Sequence, residues 1–252
     1  MSQLTQQDAT AGHTLAHVGT LLAAAERLCH VVAGADLGTT PLYIVRQSAL
    51  PADRFAGDHH RAFTTPSLDL YLQDDIPDYR GRGPCMVIND LALVEDCEPE
   101  DWEYVVTASV LHELAHILDR PALVEDRTGV DPNRLLFEAL VVANSLKRPL
   151  SCDLPAYHGH GAGFIRLTLH LCQRAALAGF DVRPAAICGG RRYGLSHASD
   201  YQDALGDEPT RCLGMSFRAI AATPPCASFS RLWQEDVVSY HRRFPHLKGV
   251  SV

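Results

Sequence analysis

The chain has 252 residues, of which 46% are hydrophobic and 21% charged. That balance fits a globular protein with its own core and excludes a disordered or fibrous chain. Lys and Arg total 22 against 30 Asp and Glu, a net charge of -8, which argues against strong electrostatic binding to nucleic acid.

Residues 1–12 are polar and read as a loose N-terminus. They lack the basic and apolar regions of a secretory signal, so a cytoplasmic protein is expected. A helix is predicted from Thr14 to Val32, ended by Gly34. His17, Glu26, Arg27 and His30 interrupt its apolar run, giving an amphipathic helix rather than a membrane span, and no membrane partner is expected. Pro41–Arg46 reads as a strand. A polar loop carrying His59 and His60 follows, and exposed loop histidines are seldom ligands. Leu68–Leu72 alternates apolar and polar residues as a half-buried strand does. Turn chemistry occupies 74–78 and 81–84, and Cys85–Asn89 is a further strand. The 8 cysteines form no CxxC pair, so free thiols are expected, with Cys188, Cys212 and Cys226 as the one combination that could hold a second metal.

The next element carries the chemistry. Pro99 suits a first helical position, and Glu98, Glu100 and Asp101 suit the positive end of the helix dipole. The helix then runs through His112-Glu113-Leu114-Ala115-His116 and should stop near Asp119-Arg120-Pro121. Histidines at i and i+4 lie one turn apart on one face and can reach a single Zn²⁺. Glu113 falls in the neighbouring sector, where a carboxylate can act as general base on a zinc-activated water. Val105, Val106, Val110, Leu111, Leu114, Ile117 and Leu118 crowd the motif. Unpaired charge in such surroundings is costly, which favours a metal over hydrogen-bonded core histidines.

A catalytic zinc takes three protein ligands and leaves one position open. Three residues compete for the third place. His160 stands between glycines at the start of a predicted helix that closes at Gly179. Its neighbour His158 is a second choice. Glu138 lies in an otherwise apolar helix begun by Asp131-Pro132, an unusual setting for an unpartnered glutamate. With His160 as ligand, Glu138 could instead orient a ligand histidine.

HELAH followed by His160-Gly161-x-x-Phe164 resembles the SprT-like zincin metallopeptidases over roughly residues 85–178. The resemblance implies His112, His116 and His160 as zinc ligands and Glu113 as base. Two departures are visible. The paired CxxC ribbon often found in that family is missing from these residues, and the segment between the motifs is long enough to hold an extra helix.

The expected architecture is an α+β, zincin-like domain: a small, mostly antiparallel sheet packed on the HExxH helix, with additional helices. It should span 13–180, with 181–252 a helical and loop extension packed on the same domain. The expected activity is zinc-dependent hydrolysis of a protein or peptide substrate, which could add as a strand to a sheet edge beside the cleft. Tyr157, His158, Tyr193 and His197 are the candidates for stabilising the oxyanion. The competing reading is a non-enzymatic protein, either with a closed, structural zinc site formed by His112, His116, His160 and Glu138 or as an inactive zincin-like interaction module.

Overall fold

A computed structural model describes residues 2–52, 54–55, 61–65, 67–119, 160–188 and 196–243, and elements are numbered in chain order within them. The fold is α+β, mostly helical, with one small three-stranded sheet.

Helix α1 spans Ser2–Leu37, with non-helical backbone at Ala33. Its backbone is thus helical through the segment read as a loose N-terminus; no proline or glycine interrupts it before Gly12. Leu15–Leu37 is long and apolar enough to cross a membrane by length and composition alone. Here its stripe of Val18, Leu22, Ala25, Leu28, Cys29 and Val32 is buried, and the helix packs on the central helix of the molecule.

That central helix is α4, Trp102–Asp119, reached after the sheet and two shorter helices. Strands β1 (Tyr43–Arg46), β2 (Ala62–Thr64) and β3 (Cys85–Ile88) lie in the order β1-β3-β2. β1 runs parallel to β3 and β2 antiparallel to it, so the sheet is mixed where a mostly antiparallel one was expected. All four residues of β3 are buried, as a central strand covered on both faces requires.

Leu68–Leu72, read from its alternation as strand, instead forms the short helix α2, Leu68–Tyr71, with Leu72 as its C-cap. Leu68 and Leu72 sit four apart, so one turn of helix buries both, and Asp69 between them is buried too. Asp69 accepts from Arg82 Nε at 2.7 Å and from the Gly83 N–H at 3.0 Å, which offsets its burial. A Cβ on Gly83 would lie 2.0 Å from the Pro41 carbonyl oxygen, so only glycine lets this loop pass into β3.

Helix α3, Asp90–Asp96, is capped by Asn89, whose side chain accepts from the Ala92 N–H. One 3₁₀ turn, Pro99–Asp101, leads into α4 with proline first, as the sequence suggested. Of the 18 residues of α4, 11 are buried, because α1, the sheet and the next described helix pack around it.

That next helix is α5, Ala162–Leu177, which packs along α4. It ends as expected: Gly179 has φ +88° and the Phe180 N–H reaches back to the Ala175 carbonyl. The C-terminal part is helical: α6 (Pro184–Ile187), α7 (Ala198–Leu205), α8 (Glu208–Arg211), α9 (Phe217–Ala222) and α10 (Ala227–Arg243). It is fastened to α5 by a polar stripe at i, i+4 and i+8. Arg166 donates to Glu208 and to the carbonyls of Ile220 and Thr223. His170 meets the same Glu208 at 3.2 Å. Arg174 donates to the carbonyls of Val32, Cys212 and Met215 and lies over the Phe217 ring.

Candidate metal centre

Helix α4 carries His112 and His116 on one face, and His160 stands two residues before α5, next to its N-cap Gly161. The two helices bring the three imidazoles together. His112 Nε2 lies 3.2 Å from His116 Nε2 and 3.2 Å from His160 Nε2. One nitrogen from each ring falls within 4.8 Å of the others, the single such group of potential metal ligands among the described residues.

The chemistry of this donor set decides what the cluster fits. The Nδ1–H of His112 donates to the Ile187 carbonyl oxygen at 2.5 Å, which can only accept. Burial lowers the His112 pKa, opposed in part by that hydrogen bond, so the ring is neutral and its Nε2 carries a bare lone pair. One lone pair cannot accept two hydrogen bonds along different directions, yet two imidazole nitrogens stand 3.2 Å from it. A shared cation resolves the contacts: two nitrogens bound tetrahedrally to zinc at about 2.0–2.1 Å are themselves about 3.3 Å apart. The residues therefore fit a metal ion.

Phe164 packs beneath the cluster. Its ring centroid lies 5.1 Å from that of His112, 4.5 Å from His116 and 4.8 Å from His160, and it is fully buried. One apolar ring thus packs against all three imidazoles. Glu113 is 3% exposed, and its Oε1 lies 4.0 Å from His112 Nε2. That distance is too long for a direct hydrogen bond.

Strand β2 packs beside α4 and forms one edge of the sheet among the described residues. Helix α6 lies against α4 from the other part of the chain and contributes the Ile187 carbonyl.

His112, Glu113, His116 and His160, all singled out in the sequence, come together. Glu138, His158, Tyr157, Tyr193, His59 and His60 lie outside the described residues. His197 is exposed at the start of α7, where its backbone N–H donates to Asp200. Cys188, Cys212 and Cys226 form no metal-ligating group among the described residues. His170 is a buried partner of Glu208. Sequence reading missed the Ile187 carbonyl, since a backbone acceptor leaves no residue-type signal. It also missed the close approach of Gly163 to Asp119, for which the glycine itself was the available hint.

No family model, curated protein or solved structure matches the chain.

Proposed function

We propose that this protein is a zinc-dependent peptidase with a zincin-like centre related in plan to the SprT-like metallopeptidases, cleaving protein or peptide substrates. The observation that carries the reading is the convergence of His112, His116 and His160 beside the buried Glu113, whose Oε1 lies 4.0 Å from His112 Nε2. His112, His116 and His160 would hold the ion, and Glu113 remains for chemistry. Bound there, zinc would supply Lewis acidity that lowers the pKa of water and polarises a scissile carbonyl.

The chain's own groups do the rest. Glu113, held in place by α4, takes the proton of the attacking water at its carboxylate and returns it to the leaving amine nitrogen. The Ile187 carbonyl keeps the proton of His112 on Nδ1, so that Nε2 stays available. Phe164 excludes water from beneath the ligands. The edge of β2 gives an extended peptide a row of backbone groups to pair with, which supports a substrate recognised more by main chain than by side chain.

Elemental analysis of the purified protein should find about one zinc per chain, and His160→Ala should lose it. Glu113→Gln should keep the zinc and abolish peptide cleavage. Zinc retained with cleavage unchanged in Glu113→Gln contradicts the general-base role, and a wild type that takes up no zinc contradicts the whole reading.

A further inference from the structure

The two halves of the metal centre arrive on different helices, and their convergence depends on how α4 and α5 sit together. A close approach beside the histidines is made by Asp119, the last residue of α4, against Gly163 in the first turn of α5. Asp119 lies three residues after His116, and Gly163 three residues after His160. A Cβ built on Gly163 would stand 2.1 Å from Asp119 Oδ1, closer than real Cβ atoms come, and 3.2 Å from its Cγ, a tight contact, so the carboxylate would have to turn away. The carboxylate therefore occupies the space that a side chain at 163 would fill.

We infer that Asp119 is a positioning residue of the metal centre, seated in the notch left by Gly163, and that this contact sets where His160 stands relative to His112 and His116. The inference rests on the zinc reading above for its functional meaning, and on the Asp119–Gly163 geometry for its structural one. Charge favours the same arrangement. The first turn of α5 has no acidic residue of its own, and its N-cap, Gly161, has no side chain to satisfy the free N–H groups. A carboxylate delivered by α4 places negative charge at that positive end. Phe164, next in sequence to Gly163, touches all three histidine rings, so a shift of the first turn of α5 is felt by every ligand.

The test is a cycle of four full-length proteins: wild type, Gly163→Ala, Asp119→Ala and the double variant. Two quantities are read. The first is the affinity for zinc, by competition with a chromophoric chelator, together with the visible spectrum of the cobalt(II) form, which reports coordination geometry. The second is the thermal midpoint of the metal-free proteins. Gly163→Ala should weaken zinc binding by about 10–100-fold, the scale of losing an orienting partner, and change the cobalt spectrum. In the Asp119→Ala background the same substitution should cost little, because the oxygen that the methyl group would meet is gone.

The metal-free midpoints carry a sign test. Alanine is the better helix former, so Gly163→Ala should raise the midpoint wherever the contact is absent. It should lower the midpoint in the wild-type background and raise it in Asp119→Ala. Asp119→Ala should also weaken zinc binding, and wild-type affinity and spectrum in either single variant overturns the inference. A wild type that binds neither zinc nor cobalt overturns the metal reading instead, and with it the positioning role, while the metal-free midpoints still decide the contact. Should Gly163→Ala fail to fold, folding regained in the double variant supports the contact, and failure there too overturns it.

Discussion

The Nδ1–H of His112 is held by the carbonyl oxygen of Ile187, 2.5 Å away across 75 positions of sequence. A histidine on the central helix thus takes its tautomer from the C-terminal part of the chain. Long-range ¹⁵N spectra of the zinc-free protein at slightly alkaline pH should show His112 protonated on Nδ1 and bare on Nε2. An Nε2–H signal for His112 would remove the argument that its lone pair faces the other two rings.

Phe164 is the second support of the three histidines. Phe164→Ala should cost about 3–5 kcal/mol of stability, through lost burial and the cavity left under three imidazoles. Phe164→Leu, closer in volume, should cost clearly less. Urea unfolding in the presence of a chelator measures both without the metal. Equal, small losses in the two variants would mean that the ring is not packed as described.

Arg166 and Glu208 form a buried ion pair at 2.7 Å, each residue 5% exposed. Removing one partner leaves the other charge uncompensated away from water. Glu208→Ala should therefore destabilise the protein by about 3–5 kcal/mol. The same measurement on Arg211→Ala, whose partner Asp207 is as solvated as itself, should fall within about 1 kcal/mol of wild type. A Glu208→Ala protein as stable as wild type would contradict the role of this pair in fastening the C-terminal helices.

His170 gives stability a pH dependence. Burial lowers its pKa, with opposing help from Glu208 and further lowering by Arg166 and Arg174, the charged groups that face it. The folded protein thus keeps His170 neutral where the unfolded chain, with a pKa near 6.5, binds a proton. Unfolding takes up a proton below that value, so this contribution to stability falls as pH drops below about 6.5, by at most about 1.4 kcal/mol per pH unit. Above about 6.5 it is constant. Thermal midpoints from pH 7.5 to 5 should fall less steeply for His170→Gln than for wild type, and parallel curves would contradict the assignment.

Local features of the site were legible in the sequence, and relationships across the fold were not. The spacing of His112 and His116 is a property of one helix, so their shared face follows from its period. His160 stood out through its flanking glycines and the helix pattern behind it. The pairing of β1 with β3 depends on chain that returns from elsewhere, and the mixed sense of the sheet left no mark on any single strand. Leu68–Leu72 was misread because leucines at alternate positions also include a pair four apart, and the turn that buries Leu68 and Leu72 is chosen by tertiary packing. Arg166, His170 and Arg174 lie at helical spacing on α5, but a polar stripe ordinarily faces water. Only the carbonyls and Glu208 of the C-terminal helices turn it inward.

Among the groups that Arg166 and Arg174 grip, the carbonyls of Val32, Cys212, Met215, Ile220 and Thr223 belong to the main chain. Every residue type offers the same oxygen, so these five bonds do not specify which side chains stand at those positions. The helices that carry these carbonyls can therefore change their surface while staying seated. The constraint falls on the two arginines, whose forked donors no shorter or uncharged side chain reproduces.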